Sequence, residues 1–288
     1  MKKRAEELKL GLMKSYAKVA ENASFGCSAG CLTKSASVEE IGRRIGYEER
    51  DMEAAPPGSN LGLGCGNPVA FSALKEGQIV LDLGSGAGFD SFLASRAVGG
   101  LGMVIGLDMT ARMVKRAREF ALDHIGKGGQ DNVEFIVGEI ESLPVRSYSI
   151  DAVISNCSIN LVYDKELAFS EAFRVLKAGG RLVASDIVQN KRLPDFVLQS
   201  IKKHVGCVAG ASTLDRYLDA IRSAGFDEVE VVEVASFPLD CMIYDPTGRA
   251  ISLGLKGSGD YRDEIEDRDE VEGSIIRIMV RALKPGRE

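Results

Sequence analysis

Short apolar runs alternate with longer segments whose apolar positions recur every three or four residues, from about residue 61 to residue 235. QIVLDLG, MVIGLDM, NVEFIVG, IDAVISN and RLVASDIV have the length and Val/Ile/Leu content of buried strands. Between them, residues 89–98, 110–124 and 165–177 carry helical spacing, and the last of these runs into KAGG, where glycine suits a helix C-cap. A further helix over 213–224 and the strand-like EVEVVEV follow. Strands alternating with helices predict an α/β fold, a mostly parallel sheet with helices on both faces.

The flanks are patterned differently. Residues 1–24 read as an amphipathic helix, followed by the Gly-, Ser- and Cys-rich SFGCSAGCLTKSAS. Ser37 with Glu40 three residues on forms a capping-box pattern ahead of a helix in VEEIGRRIG. Pro56, Pro57 and Gly58 then break the chain, and LGLGCGNP is a second glycine-rich loop. These signals divide the chain into a helical, cysteine-bearing extension (1–60), a main domain (61–235) and a C-terminal appendage (236–288). In the appendage, DYRDEIEDRDEVEG reads as a solvated, charged segment and SIIRIMVRALKP as a strand or short helix.

Composition narrows the function classes. Of 288 residues, 45% are hydrophobic and 27% charged, which supports a sizeable core. With 36 basic against 42 acidic residues the net charge is −6, which argues against nucleic acid or an anionic membrane as partner. No apolar stretch reaches the roughly 18 residues that span a bilayer, and no apolar signal core follows the basic Met1-Lys2-Lys3-Arg4. The simplest expectation is a cytoplasmic protein, in which the six cysteines do not serve as a static disulfide framework.

The most informative segment is LDLGSGAGFD, residues 81–90: a strand, three alternating glycines, then a helix. Glycines are needed there for a sharp turn or a close ligand approach, at the strand ends where open α/β sheets bind ligands. The dinucleotide pattern G-x-G-x-x-G fails, because Phe89 stands where its third glycine belongs. The spacing D-x-G-x-G-x-G instead resembles the first motif of class I S-adenosylmethionine-dependent methyltransferases. That resemblance implies a Rossmann-like fold and cofactor contacts from Asp82, Gly84, Ser85, Gly86 and Gly88. Asp108, ending the second strand, would hold the ribose, with Met109 beside it among the cofactor contacts; Ile140 would pack on the adenine and Glu141, also of GEIESLP, would lie near its amino group. SNCSINL, with Asn156, closes the crevice from the fourth strand.

Three cysteines stand in glycine-rich or strand-end loops with little local apolar cover: Cys65 in LGLGCGNP, Cys157 in SNCSINL and Cys207 in HVGCVAGA. In this order, with LDLGSGAGFD after the first, they resemble the arsenite methyltransferases over roughly residues 37–235; SNCSINL and GCVAGA discriminate, whereas RVLKAGGRLVASDIV is common among class I methyltransferases. The resemblance implies that Cys157 and Cys207 hold trivalent arsenic, with Cys65 as third or exchanging thiolate and Cys27 or Cys31 as a further thiol. Thiolate is the soft ligand such a centre selects. It further implies S-adenosylhomocysteine as product, and a thiol or thioredoxin-type reductant to restore the cysteines. The residues alone leave open a methyltransferase for a small organic acceptor such as a quinone or phenol, or a metalloid-binding protein without turnover. Cys241 matches no motif and reads as structural, His124 as solvent-facing, and His204 as a helix-end histidine near Cys207.

Overall fold

The computed structural model describes residues 2–21, 38–191, 210–236 and 273–286. The predicted strands appear as β1 (Ile79–Leu83), β2 (Met103–Asp108), β3 (Val133–Val137), β4 (Ile150–Asn156), β5 (Leu176–Gln189), β6 (Asp227–Ser236) and β7 (Ile275–Leu283). They form a single seven-stranded sheet in the order β3-β2-β1-β4-β5-β7-β6. The first five are parallel, and β7 runs antiparallel to both β5 and β6. In-register pairing sets Leu83 beside Leu107 on one side and Ser155 on the other, so the carboxyl ends of β1, β2 and β4 open at one level.

Alternation along each strand feeds two cores. Leu81, Leu83 and Val153 pack with Phe169 of helix α7 (Lys165–Val175) and Tyr217 of helix α8 (Leu214–Ser223). Val80, Ala152 and Ile154 face the other way, onto Ala94 and Val98 of helix α5 (Phe89–Val98). Helix α6 (Ala111–Gly126) flanks β2 and β3, and the short α4 (Pro68–Phe71) starts where Asn67 accepts from the Ala70 amide at 3.1 Å. Asp164 caps α7 in the same way, accepting from Leu167 N at 3.0 Å.

Three local expectations are corrected and one open alternative is decided. The helix before KAGG ends at Val175 and the chain turns straight into β5; Gly179 is left-handed, but it serves the link in which its amide and the Gly180 carbonyl pair with Lys284. SIIRIMVRALKP is a strand, and it lies inside the sheet: Ile276, Ile278, Val280 and Ala282 complete the core shared with α7 and α8. A boundary near residue 235 therefore does not set this strand apart. His124 is not simply solvent-facing, because its ring packs on Phe92 with centroids 5.6 Å apart. Cys65 and Cys157 are buried, at 2% and 5% exposure, by distant partners that their glycine-rich surroundings do not announce. The Ser37 capping box, the acidic run at 260–272, Cys241 and His204 lie outside the described residues.

The expected N-terminal helix is present as α1 (Lys2–Glu21), which packs along α6. Arg116 donates to the Ala20 carbonyl at 2.8 Å, Arg112 pairs with Glu21, and Val19 packs with Leu61, Ala87 and Met113. Lys9 pairs with Glu139 in the loop after β3, so α1 bridges over the carboxyl edge of the sheet. Two short helices, α2 (Val38–Arg44) and α3 (Glu49–Ala54), lead from there to the loop that carries Cys65.

Candidate active site

At the end of β1 the chain must reverse into α5 beneath its neighbours, and glycine permits this. Gly84 has φ 70°, and a Cβ there would collide with the Ser158 side chain. Its amide and that of Ser85 donate to the Leu107 carbonyl at 2.7 and 2.9 Å, tying the loop to β2. Gly88 has φ 95° and lies above the Phe135 ring, whose nearest atom is 2.5 Å from where a Cβ would stand. Asp108 fastens the loop from the next strand, accepting from Gly86 N at 3.1 Å and from Thr110 N at 2.7 Å.

These loops surround a cavity of about 460 Å³. Its wall includes Asp82, Gly84, Ser85 and Gly86 from the first strand end, and Asp108 and Met109 from the second. Ile140 and Glu141 come from the third, Asn156 and Cys157 from the fourth. The structure therefore brings together all the cofactor candidates except Gly88, which lies beneath the loop against Phe135. Lys9, Leu12 and Tyr16 of α1 cover the cavity, together with Tyr47 and Asn60 of the N-terminal region.

Burial controls the acids of this wall. Asp82 is pushed up to about 8, chiefly by burial and then by the charge of Asp90, with Ser91 Oγ donating to it at 2.6 Å. Burial also raises Asp90, to about 6, although Tyr47 and Asn156 donate to it. Asp108 is raised for the same reason. Such carboxyls favour a ligand that brings donors or positive charge. Ser85 Oγ is buried on the same wall without a partner, a polar atom for which a bound ligand would supply the missing contact. S-adenosylmethionine, with a ribose diol, an ammonium group and a sulfonium, has the donors and charge that this set accepts.

The cysteine side of the cavity is built on Asn156. Its Oδ1 accepts from the amides of Cys65 and Gly66 at 2.9 and 3.3 Å. Its Nδ2 lies within donating distance of Gly66 O at 2.7 Å, and of Asp90 Oδ2 and Tyr47 Oη, both at 2.9 Å. Tyr47 in turn donates to Asp90 Oδ1 at 2.5 Å. Gly64 has to be glycine here, because a Cβ would stand 2.5 Å from the Asn156 amide. Cys65 Sγ lies 3.3 Å from Ser185 Oγ, and the Cys157 amide donates to Ser185 O at 2.7 Å, so both cysteines are anchored to one residue of β5. Neither is in a disulfide. Cys157 holds a left-handed backbone, φ 58°, the kind of strain that persists where surrounding contacts over-determine it. Cys27, Cys31 and Cys207 lie outside the described residues.

Sequence reasoning missed Tyr47, Asp90 and Arg277. Arg277 Nη1 donates to the Cys65 carbonyl at 3.1 Å, across 212 positions of sequence. The one available signal was charge complementarity between two strands: Glu230 and Glu233 in EVEVVEV face Arg281 and Arg277 across the β6–β7 pair.

Behind the cysteines, on the opposite side of β5, Asp186 accepts from Tyr217 Oη at 2.7 Å and is raised to about 7 by burial. The folded protein thus keeps a proton that an unfolded Asp186 loses near its ordinary value of about 3.9. Its contribution to stability is full below that value and is lost as pH rises through about 7. Replacing Asp186 with Asn should flatten the fall in unfolding free energy between these limits, by up to about 1.4 kcal/mol per pH unit. Denaturant titrations at several pH values read the slope, and equal slopes in both proteins would refute the assignment.

A profile of the methyltransferase domain family matches residues 74–229, and the chain belongs to that family. Within it, the chain is 49% identical over 188 residues to an arsenite methyltransferase of Halobacterium salinarum, covering 65% of this chain and 47% of the relative. It is 34% identical over 226 residues to an arsenite methyltransferase of Aquipseudomonas alcaligenes, covering 73% and 65%. The crystal structure of an arsenic (III) S-adenosylmethionine methyltransferase from Chlamydomonas reinhardtii superposes with a TM-score of 0.61 at 31% identity, covering 85% of this chain and 73% of that one. The chain spans roughly half to two thirds of the length of these two curated relatives. Among the described residues no helix is long and apolar enough to cross a membrane.

Proposed function

We propose that the protein methylates trivalent arsenic with S-adenosylmethionine as donor. The observation that carries this reading is the placement of Cys157 on the wall of the cavity formed by the glycine loop, with Cys65 anchored to the same serine. The names of the relatives point the same way. Asp108 would accept from the ribose hydroxyls, Ile140 would pack on the adenine near Glu141, and the Asp82–Gly86 segment would hold the amino-acid end. The bound cofactor supplies an electrophilic methyl group on sulfonium sulfur.

Cys157 and Cys207, with Cys65, would exchange the hydroxyls of arsenite for thiolates, releasing one water per As–S bond. Held in this way, the arsenic lone pair would face the methyl group that the cofactor supplies, and arsenic would take over the positive charge along with the methyl group. The nucleophile carries no proton, so no side-chain base is required, and the residues contribute chiefly by proximity and orientation. Arsenic emerges pentavalent. Two of the arsenic-bound sulfurs would couple as a disulfide as their As–S bonds break, returning an electron pair to arsenic; water or a thiol would fill the vacated position with loss of a proton, and an external thiol or thioredoxin-type reductant would open the disulfide by exchange.

The test is one incubation of reduced protein with labelled S-adenosylmethionine, arsenite and excess thiol, followed by arsenic speciation. Labelled methylarsenic is the expected product. Cofactor binding with arsenite left unmethylated would refute the proposal and turn attention to organic acceptors.

A further inference from the structure

The loop carrying Cys65 is held by three strands, and the least foreseen hold comes from β7. Arg277 pairs in register with Ile187 of β5 and Ala235 of β6, which puts it beside the loop. Its side chain is only 13% exposed. Nη1 donates to the Cys65 carbonyl at 3.1 Å while Nη2 donates to Glu233 Oε1 at 3.0 Å. On the far side of the same residue, the Cys65 amide donates to Asn156 Oδ1 at 2.9 Å. The Cys65 backbone is therefore gripped at its N–H from β4 and at its C=O from β7, with the thiol against Ser185 of β5.

A guanidinium suits this position because its fixed fork serves two acceptors in different directions, which an ammonium on a flexible stem does not. Glu233 orients the fork, and a hydrogen bond from a charged donor is worth more than a neutral one. Without it the loop would sample other positions, and the ordering would have to be paid when a ligand draws the thiol in.

We propose that Arg277 is a positioning residue that fixes the Cys65 thiol for arsenic binding, oriented by Glu233. The proposal rests on the reading of Cys65 as an arsenic ligand. It predicts that Arg277→Met weakens arsenite binding about tenfold, the scale of one charged hydrogen bond, and that Glu233→Gln weakens it less. Affinity for S-adenosylhomocysteine and the thermal midpoint should stay near those of the unaltered protein.

The experiment titrates arsenite and S-adenosylhomocysteine separately into the full chain and its Arg277→Met, Glu233→Gln and Cys65→Ser variants. Arsenic X-ray absorption then counts sulfur neighbours. Weaker arsenite binding and fewer sulfur neighbours in Arg277→Met, with cofactor affinity retained, would support the proposal. If Cys65→Ser weakens arsenite binding but Arg277→Met and Glu233→Gln do not, the positioning role is overturned while the ligand reading stands. If Cys65→Ser changes nothing, the ligand reading fails and takes this proposal with it. An equal loss of cofactor affinity and thermal stability in Arg277→Met would assign Arg277 to the fold alone.

Discussion

Arsenite methylation by a Cys157→Ser variant should fall by at least about 100-fold, with affinity for S-adenosylmethionine close to that of the unaltered protein. The expectation follows from ligand chemistry: a serine hydroxyl is a hard oxygen donor where a soft centre needs thiolate, and a misplaced reacting atom alone can cost about 100-fold. The rest of the position should tolerate serine. Cys157 is 5% exposed, and its anchor is a backbone bond from its amide to Ser185 O that serine can also make. Cofactor titration and arsenic speciation on the same preparation separate the two effects. Cys207→Ser is expected to behave alike. Methylation that survives both substitutions would end the thiolate mechanism.

The second large effect concerns the cofactor. Asp108→Ala should raise the dissociation constant of S-adenosylhomocysteine by about 100-fold, because two hydrogen bonds to a charged acceptor are each worth about 1.5–3 kcal/mol, with part recovered by water. The change also frees the glycine loop, since Gly86 N and Thr110 N lose their acceptor. Folding should weaken as well, because two backbone donors lose their acceptor, though removing a carboxyl whose charged form burial disfavours offsets part of that loss. Calorimetric titration gives the affinity and a thermal melt of the cofactor-free protein gives the stability. Unchanged affinity would remove Asp108 from the cofactor site.

What was legible in the sequence was local. A strand, an alternating glycine turn and a helix occur within residues 81–90, so their geometry follows from neighbours in the chain. Asp108 and the loops after β3 and β4 could be placed because parallel strands bring their carboxyl ends to one edge. The contacts made across the sequence were not legible. The Tyr47–Asp90–Asn156 network joins residues 43, 66 and 109 positions apart, and none of the three stands in a pattern that names its partner. Burial of Cys65 escaped for the same reason, since its cover comes from Asn156, Ser185 and Arg277. Asn156 itself was found for its place beside the cofactor crevice, yet the structure shows its amide engaged with the cysteine loop. SIIRIMVRAL was ambiguous because two arginines interrupt the apolar run, and only pairing with the acidic β6 explains them.

The insertion of β7 between β5 and β6 also governs the order in which the molecule can be made. A nascent chain that has emerged only as far as residue 236 carries both flanking strands but not the one between them. Until residues 275–283 leave the ribosome, the edge of β5 is an unpaired apolar template of the kind that recruits other chains. Over the same interval Cys65 has its loop but not the guanidinium that holds its carbonyl. Synthesis therefore delivers the cysteine loop early and finishes it late, once the sheet closes beside it.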